Sequence, residues 1–170
     1  MIPKLAVLGL LNRKEMHGYE IIKLINQEMT NFCNIKIGSV YFALSDLAKK
    51  GFVESKGLIK GKKEPDKTIY AITEKGKEEY IKLLRKSLLK TYAGRYPIDI
   101  VLHFRNDLQE TDYKRMLADK IAITEKVVRT LTGLKEQETS PTIGMILEHQ
   151  ILHQTAELEW LKKIINDENI

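Results

Sequence analysis

At 170 residues the chain holds one domain or two small ones, and 43% hydrophobic against 30% charged residues excludes a disordered polypeptide. No apolar run approaches the ~20 residues of a membrane span, and the one cysteine, Cys33, excludes an internal disulfide and suits a reducing, cytoplasmic setting. The net charge of +5 is uneven: residues 1–92 carry 18 Lys and Arg against 10 Asp and Glu, while residues 93–170 carry 10 against 13. That asymmetry suggests a polyanion-binding module joined to a second part.

Leu5, Leu8 and Leu11, with Val7 and Leu10 beside them, predict a short buried helix with Pro3 in its first turn. The apolar stretch resembles a signal sequence only superficially. One lysine precedes it, no small-residue cleavage site follows, and charges resume at Arg13. "NRKEM" interrupts the pattern. "HGYEIIKLINQEM" resumes it as a second helix with Ile21, Ile22, Leu24 and Ile25 on its apolar side, and His17 is placed to cap it or to meet a phosphate. Cys33, in "NFCNI", has no neighbouring cation to lower its pKa, so a passive thiol is expected rather than a redox sensor.

A third helix follows "IKIG". Val40, Leu44 and Leu47 form its core stripe, widened by Ala43 and Ala48, and Lys49, Lys50 and Gly51 make its stop. The opposite face offers Ser39, Tyr41, Phe42, Ser45 and Asp46. "FVES" and "TIYAIT" alternate with period two and predict a β-hairpin. Its long tip, "KGLIKGKKEPDK", carries Lys60, Lys62, Lys63 and Lys67 against Glu64 and Asp66. Thr73 reads as the N-cap of a long fourth helix, and Gly76 early in it suggests close approach of a neighbouring backbone. Gly94 and Pro97 then break the chain. The remainder is helical in pattern: "IDIVLHFRNDL", a longer helix capped by Thr111, and a last helix opened by Ser140 and Pro141.

Three helices, a two-stranded wing and a fourth helix describe a winged helix-turn-helix. The expected architecture is mostly α with a small β-wing: a DNA-binding domain over 1–92, including the long connecting helix, and a helical dimerisation domain over 93–170. The expected DNA contacts are Tyr19, Lys36, Ser39, Tyr41, Phe42, Ser45 and Lys49 around the third helix, with Lys60, Lys62, Lys63 and Lys67 on the wing. A recognition helix reaches base edges in the major groove, and lysines on phosphate fix its position.

Gly18–Tyr19, then Gly38–Ser39–Val40–Tyr41, then Leu44, Leu47, Gly51 and Val53, then Tyr70, Ile72, Thr73 and Gly76 together resemble the PadR family of bacterial transcriptional regulators. The resemblance covers residues 1–85. It departs at Phe42, where the family usually has proline, and at Lys62 and Lys63, where the wing often carries arginine. Lysine there favours phosphate contact over bidentate guanine readout. "YPIDIVLHFRNDL" and the long helices resemble the larger C-terminal domain of one subgroup, which implies a homodimer clasped by C-terminal helices.

The stripe Ile143, Leu147, Ile151, Leu158, Leu161 and Ile165 is expected to form that dimer interface. Trp160 reads first as dimer packing and second as a contact to a small-molecule effector. His149, His153 and Glu157 share one helix face at a spacing that suits zinc, but position 150 is Gln, so no HExxH is present and no metal is expected. With no Gly-rich phosphate loop and no nucleophile elbow, neither a cofactor nor an enzymatic activity is expected. The leading expectation is a dimeric repressor on double-stranded operator DNA, with an effector as a further partner. The alternative is a winged-helix protein–protein adaptor that binds no DNA specifically.

Overall fold

The computed structural model describes residues 1–30, 33–59, 67–90 and 96–166, with 58, 59 and 67 as backbone only. Two units emerge, Met1–Tyr92 and Ala93–Ile170.

The first contains α1 (Ile2–Leu11), β1 (Met16–His17), α2 (Gly18–Glu28), α3 (Ile37–Lys49), β2 (Val53–Ile59), β3 (Lys67–Ile72) and α4 (Glu74–Leu88). This is the winged helix-turn-helix order. Its core draws on the apolar stripes legible in the sequence: Val7, Leu8 and Leu10 of α1, Ile21 and Ile25 of α2, and Val40, Leu44 and Leu47 of α3, whereas Ala48, expected to widen the α3 stripe, is exposed. Each such side chain taken fully out of water contributes about 1.5–3 kcal/mol. His17 is the cap of α2, its Nδ1 accepting from the Glu20 N–H at 3.1 Å.

The wing differs from expectation in one respect. "NRKEM" is not merely a break: Met16 and His17 form a third strand, pairing antiparallel with Tyr70 and Ile69, so the sheet order is β1-β3-β2. Two residues are too few to show a period in sequence. β2 and β3 pair antiparallel from Val53↔Ile72 to Ile59↔Lys67, with a bulge between Ser55 and Gly57, where Gly57 has φ +132°.

The junction of α3, β2 and α4 is locked by backbone geometry. α3 ends in a Schellman motif: Phe52 N–H donates to Leu47 O at 2.9 Å, Gly51 N–H to Ala48 O at 3.0 Å, and Gly51 takes φ +71°. Thr73 Oγ1 accepts from Gly76 N–H at 3.1 Å and donates to Gly51 O at 2.7 Å. Thr73 N–H donates to Phe52 O at 3.1 Å. Gly76 is buried, and a Cβ built on it would lie 2.0 Å from Phe52 O. Thr73 and Gly76 thus act on the same peptide groups as the glycine that ends α3.

The second unit holds α5 (Pro97–His103), a 3-10 turn (Arg105–Asp107), α6 (Glu110–Gln137) and α7 (Pro141–Ile165). α6 and α7 run antiparallel, cross-linked by Lys120–Glu157 (3.1 Å), Lys162–Glu125 (2.6 Å) and Lys135–Glu148 (2.9 Å). Ser140 caps α7 by accepting from Ile143 N–H at 3.4 Å. Three expectations are corrected here. The α5 helix stops at His103 instead of running to Leu108, because a 3-10 turn follows. Thr111 lies inside the first turn of α6, and the N-cap position is Gln109. Leu147 and Leu161 are core residues of the unit, 4% and 0% exposed, and Leu161 packs with Tyr113 and Leu117. Ile143, Ile151, Leu158 and Ile165 are half-buried beside them. Most of the apolar stripe on α7 is therefore used within the chain.

Candidate nucleic-acid interface

The buried stripe of α3 fixes what the helix presents. With Val40, Ala43, Leu44 and Leu47 inward, the other side displays Gly38, Tyr41, Phe42, Ser45 and Lys49, while Ser39 is half-buried. Phe42 is 72% exposed and Tyr41 53%. Ile37, absent from the expected contact set, is 54% exposed on the same side. Its spacing of four from Tyr41 and eight from Ser45 is the signal that would have found it.

The start of α2 abuts this helix. A Cβ on Gly18 would meet the Tyr41 ring at 3.4 Å and Leu44 Cδ1 at 3.6 Å, so glycine lets the two helices approach. The neighbouring Tyr19 is left pointing out, 69% exposed.

Electrostatics sort the cations of this unit into engaged and available. Asp46 takes Lys4 at 2.5 Å and Lys50 at 2.9 Å. Those lysines, Lys4 first, hold its carboxyl below the usual range, so Asp46 stays charged and joins α1 to α3. It is an intramolecular partner, not a contact left open on the outer face. Lys14 pairs with Glu20 at 2.5 Å and holds the Glu20 carboxyl low, opposed by partial burial. Lys56 pairs with Glu15 at 2.5 Å, which raises its ammonium pKa and ties the wing's base to the turn before β1. Lys36, just before α3, and Lys49, in its last turn, are exposed and have no ion pair among the described residues. These two cations flank the outer face of α3 at either end. Lys60, Lys62 and Lys63 lie outside the described residues, as does the side chain of Lys67.

Cys33 is half-buried, and burial pushes its thiol pKa up, away from a reactive thiolate. His149 and His153 face each other Nε2 to Nε2 at 3.2 Å, but Glu157 is taken by Lys120. Among the described residues no three His, Cys, Asp or Glu side chains are grouped to hold a metal ion. Among them also, no helix is long and apolar enough to cross a membrane.

The second unit contains two adjoining hollows. One, of about 360 Å³, is lined mainly by apolar side chains including Ile98, Leu102, Met116 and Leu117. Tyr113 also lines it, and its buried hydroxyl has no hydrogen-bond partner among the described residues. The other, of about 300 Å³, shares Tyr96, Ile98 and Glu157 with the first and adds Asp99, His153 and Trp160. Both volumes lie at the lower end of the range that takes small molecules.

Residues 7–82 match the model of the transcriptional regulator PadR-like family. The whole chain is similar to the negative transcriptional regulator PadR of Bacillus subtilis (strain 168), at 36% identity over 95% of this chain and 94% of that protein. Its fold is similar to the crystal structure of B. subtilis PadR in complex with operator DNA, with a TM-score of 0.76 at 22% identity, covering 97% and 98% of the two chains. It is likewise similar to the same regulator in complex with p-coumaric acid, with a TM-score of 0.74 at 22% identity over 97% of each chain.

Proposed function

The chain belongs to the PadR-like family of transcriptional regulators, and from that premise we propose that it is a cytoplasmic, homodimeric repressor that binds a specific operator and releases it when a small molecule enters the second unit. The observation that carries the DNA reading is the outer face of α3: exposed Tyr41, Phe42 and Ser45 between two exposed lysines, Lys36 and Lys49. It stands on the half of the chain with an excess of eight positive charges over negative ones. Such a face suits a major groove, which admits one helix between two phosphate strands. Tyr19, Tyr41, Ser39, Ser45 and Phe42 then meet the groove, and the wing lysines Lys60, Lys62, Lys63 and Lys67 meet backbone phosphates. The reading assigns no catalytic step to any residue.

The dimer rests on what α6 and α7 leave uncovered. Met116, Ile123, Val127 and Leu134 are exposed on α6, spaced by seven, four and seven residues. That is the period of a helix seam. Met145, Leu152 and Trp160 are exposed on α7. A second copy supplies the cover these side chains lack. The half-buried Ile143, Ile151, Leu158 and Ile165 adjoin that interface, with Leu147 and Leu161 as the packing beneath it.

The effector reading rests on the two hollows and on the Tyr113 hydroxyl, a buried donor that a ligand would satisfy. Trp160 borders the second hollow, which joins its two expected roles. A ligand that prefers a dimer whose recognition helices mismatch the operator spacing releases DNA by population shift.

Binding selection from a random duplex pool by the full chain tests this. The expected result is an enriched, two-fold symmetric motif whose half-sites are about one helical turn, or a multiple of it, apart. A pool that stays random favours the adaptor reading instead.

A further inference from the structure

Along the outer face of α3, Gly38, Phe42, Ser45 and Lys49 form one ridge, at spacings of four, three and four residues. The ridge carries four different chemistries in order. Gly38 has nothing within 4 Å of where a Cβ would lie, so the fold does not need glycine there. Without a side chain at Gly38, the helix backbone is open to close approach from outside. Phe42 comes one turn later. Among the described residues no Phe, Tyr or Trp side chain is more exposed, and its ring packs on no other ring or cation. Ser45 offers a hydroxyl and Lys49 a charge.

On the DNA reading above, the Phe42 ring enters the major groove with no hydrogen-bond donor or acceptor. It cannot read the N7 and O6 acceptors of guanine, the amino group of adenine or that of cytosine. The one apolar group on the floor of that groove is the C5-methyl of thymine.

We propose that Phe42 is a specificity-determining residue that selects a thymine in each half-site by covering its C5-methyl group. Gly38 lets the helix backbone sit close enough for the ring to reach it, and Lys49 holds the register on phosphate. This rests on the DNA reading, and it predicts a feature of the operator that the fold alone does not. A fixed T·A pair stands opposite the sixth residue of α3.

The test uses the full chain and its selected duplex, with each thymine replaced in turn by uracil, which removes only the methyl. Wild-type protein is expected to lose about fourfold in affinity at one position per half-site, and roughly fifteenfold when both half-sites are changed, the worth of one buried methyl-sized group in each. Phe42→Ala is expected to bind more weakly but to treat thymine and uracil alike at that position. Phe42→Leu, which keeps an apolar tip, is expected to restore most of the discrimination. Because Phe42 is 72% exposed and lies outside the core cluster, both variants are expected to melt with the wild type. Wild-type indifference to every methyl, or an unchanged uracil penalty in Phe42→Ala, would overturn the proposal while leaving specific DNA binding intact. Failure to enrich any sequence overturns the DNA reading and this proposal together.

Discussion

Gly76→Ala is expected to lower the melting temperature of the N-terminal unit by more than about 10 °C, or to prevent its folding. The added Cβ would sit 2.0 Å from Phe52 O, 2.9 Å from Phe52 C and 2.8 Å from Ile72 Cγ1. A flexible side chain could turn aside, but the Phe52 peptide cannot. Its carbonyl accepts from Thr73 N–H, and its N–H closes the Schellman motif at the end of α3. Relief therefore means shifting α4 away from the hairpin and losing the Thr73 cap, which alone is worth about 1 kcal/mol. With overpacking added, a loss of about 3 kcal/mol is expected. The gain in helix propensity from glycine to alanine is at most about 1 kcal/mol. At roughly 4–8 °C per kcal/mol for a unit of this size, the shift is large and simple to read by circular dichroism. Gly38→Ala, in the same unit but facing open space, is expected to leave the melt unchanged or slightly higher. Equal melting of the two variants would contradict the packing described for Gly76.

The second large effect is at Leu161. It is fully buried, and the core of its unit rests on few side chains, chiefly Tyr113, Leu117 and Leu161. Leu161→Ala is expected to cost about 2–5 kcal/mol through lost transfer energy and a cavity, and to melt the α6–α7 pair at lower temperature. Leu152→Glu, at a position 64% exposed within the chain, is expected to keep its helical signal and to shift sedimentation toward monomer. The pair of variants separates packing within a chain from packing between chains. If Leu161→Ala abolished self-association while the helices melted as before, the assignment of Leu161 to the monomer core would be wrong.

That contrast shows where sequence was legible and where it was not. In α1, α2 and α3 the apolar spacing named the core because each helix buries one face against one small unit. The caps at Ser140 and Thr73 were visible because each hydroxyl stands just before its helix, whereas Thr111, read the same way, lies inside the first turn of α6. Gly76 was visible as an oddity, since glycine in a first turn weakens a helix unless something needs the space. α7 is different. It carries apolar residues on more than one face, and periodicity alone does not say which face meets α6 and which meets a second copy. Met145, Leu152 and Trp160 lie off the stripe that the spacing favoured, and they are the ones left open. β1 was hidden for the opposite reason, being too short to show any period. At the candidate interface, the sequence marked the outer face of α3 but not the pairing of its charges. Asp46 looked available and is engaged by Lys4 and Lys50, whereas Lys36 and Lys49 stay exposed.

The most direct test of the central claim is an anisotropy titration of the full chain on its selected duplex against a scrambled one, repeated from low to physiological salt. Specific recognition by α3 predicts a preference of ~10³-fold or more that persists as salt rises, with both affinities falling along a slope set by the phosphates the lysines neutralise. Equal affinity for the two duplexes, erased together by salt, would contradict it. The outer face of α3 would then be no more than part of a basic surface.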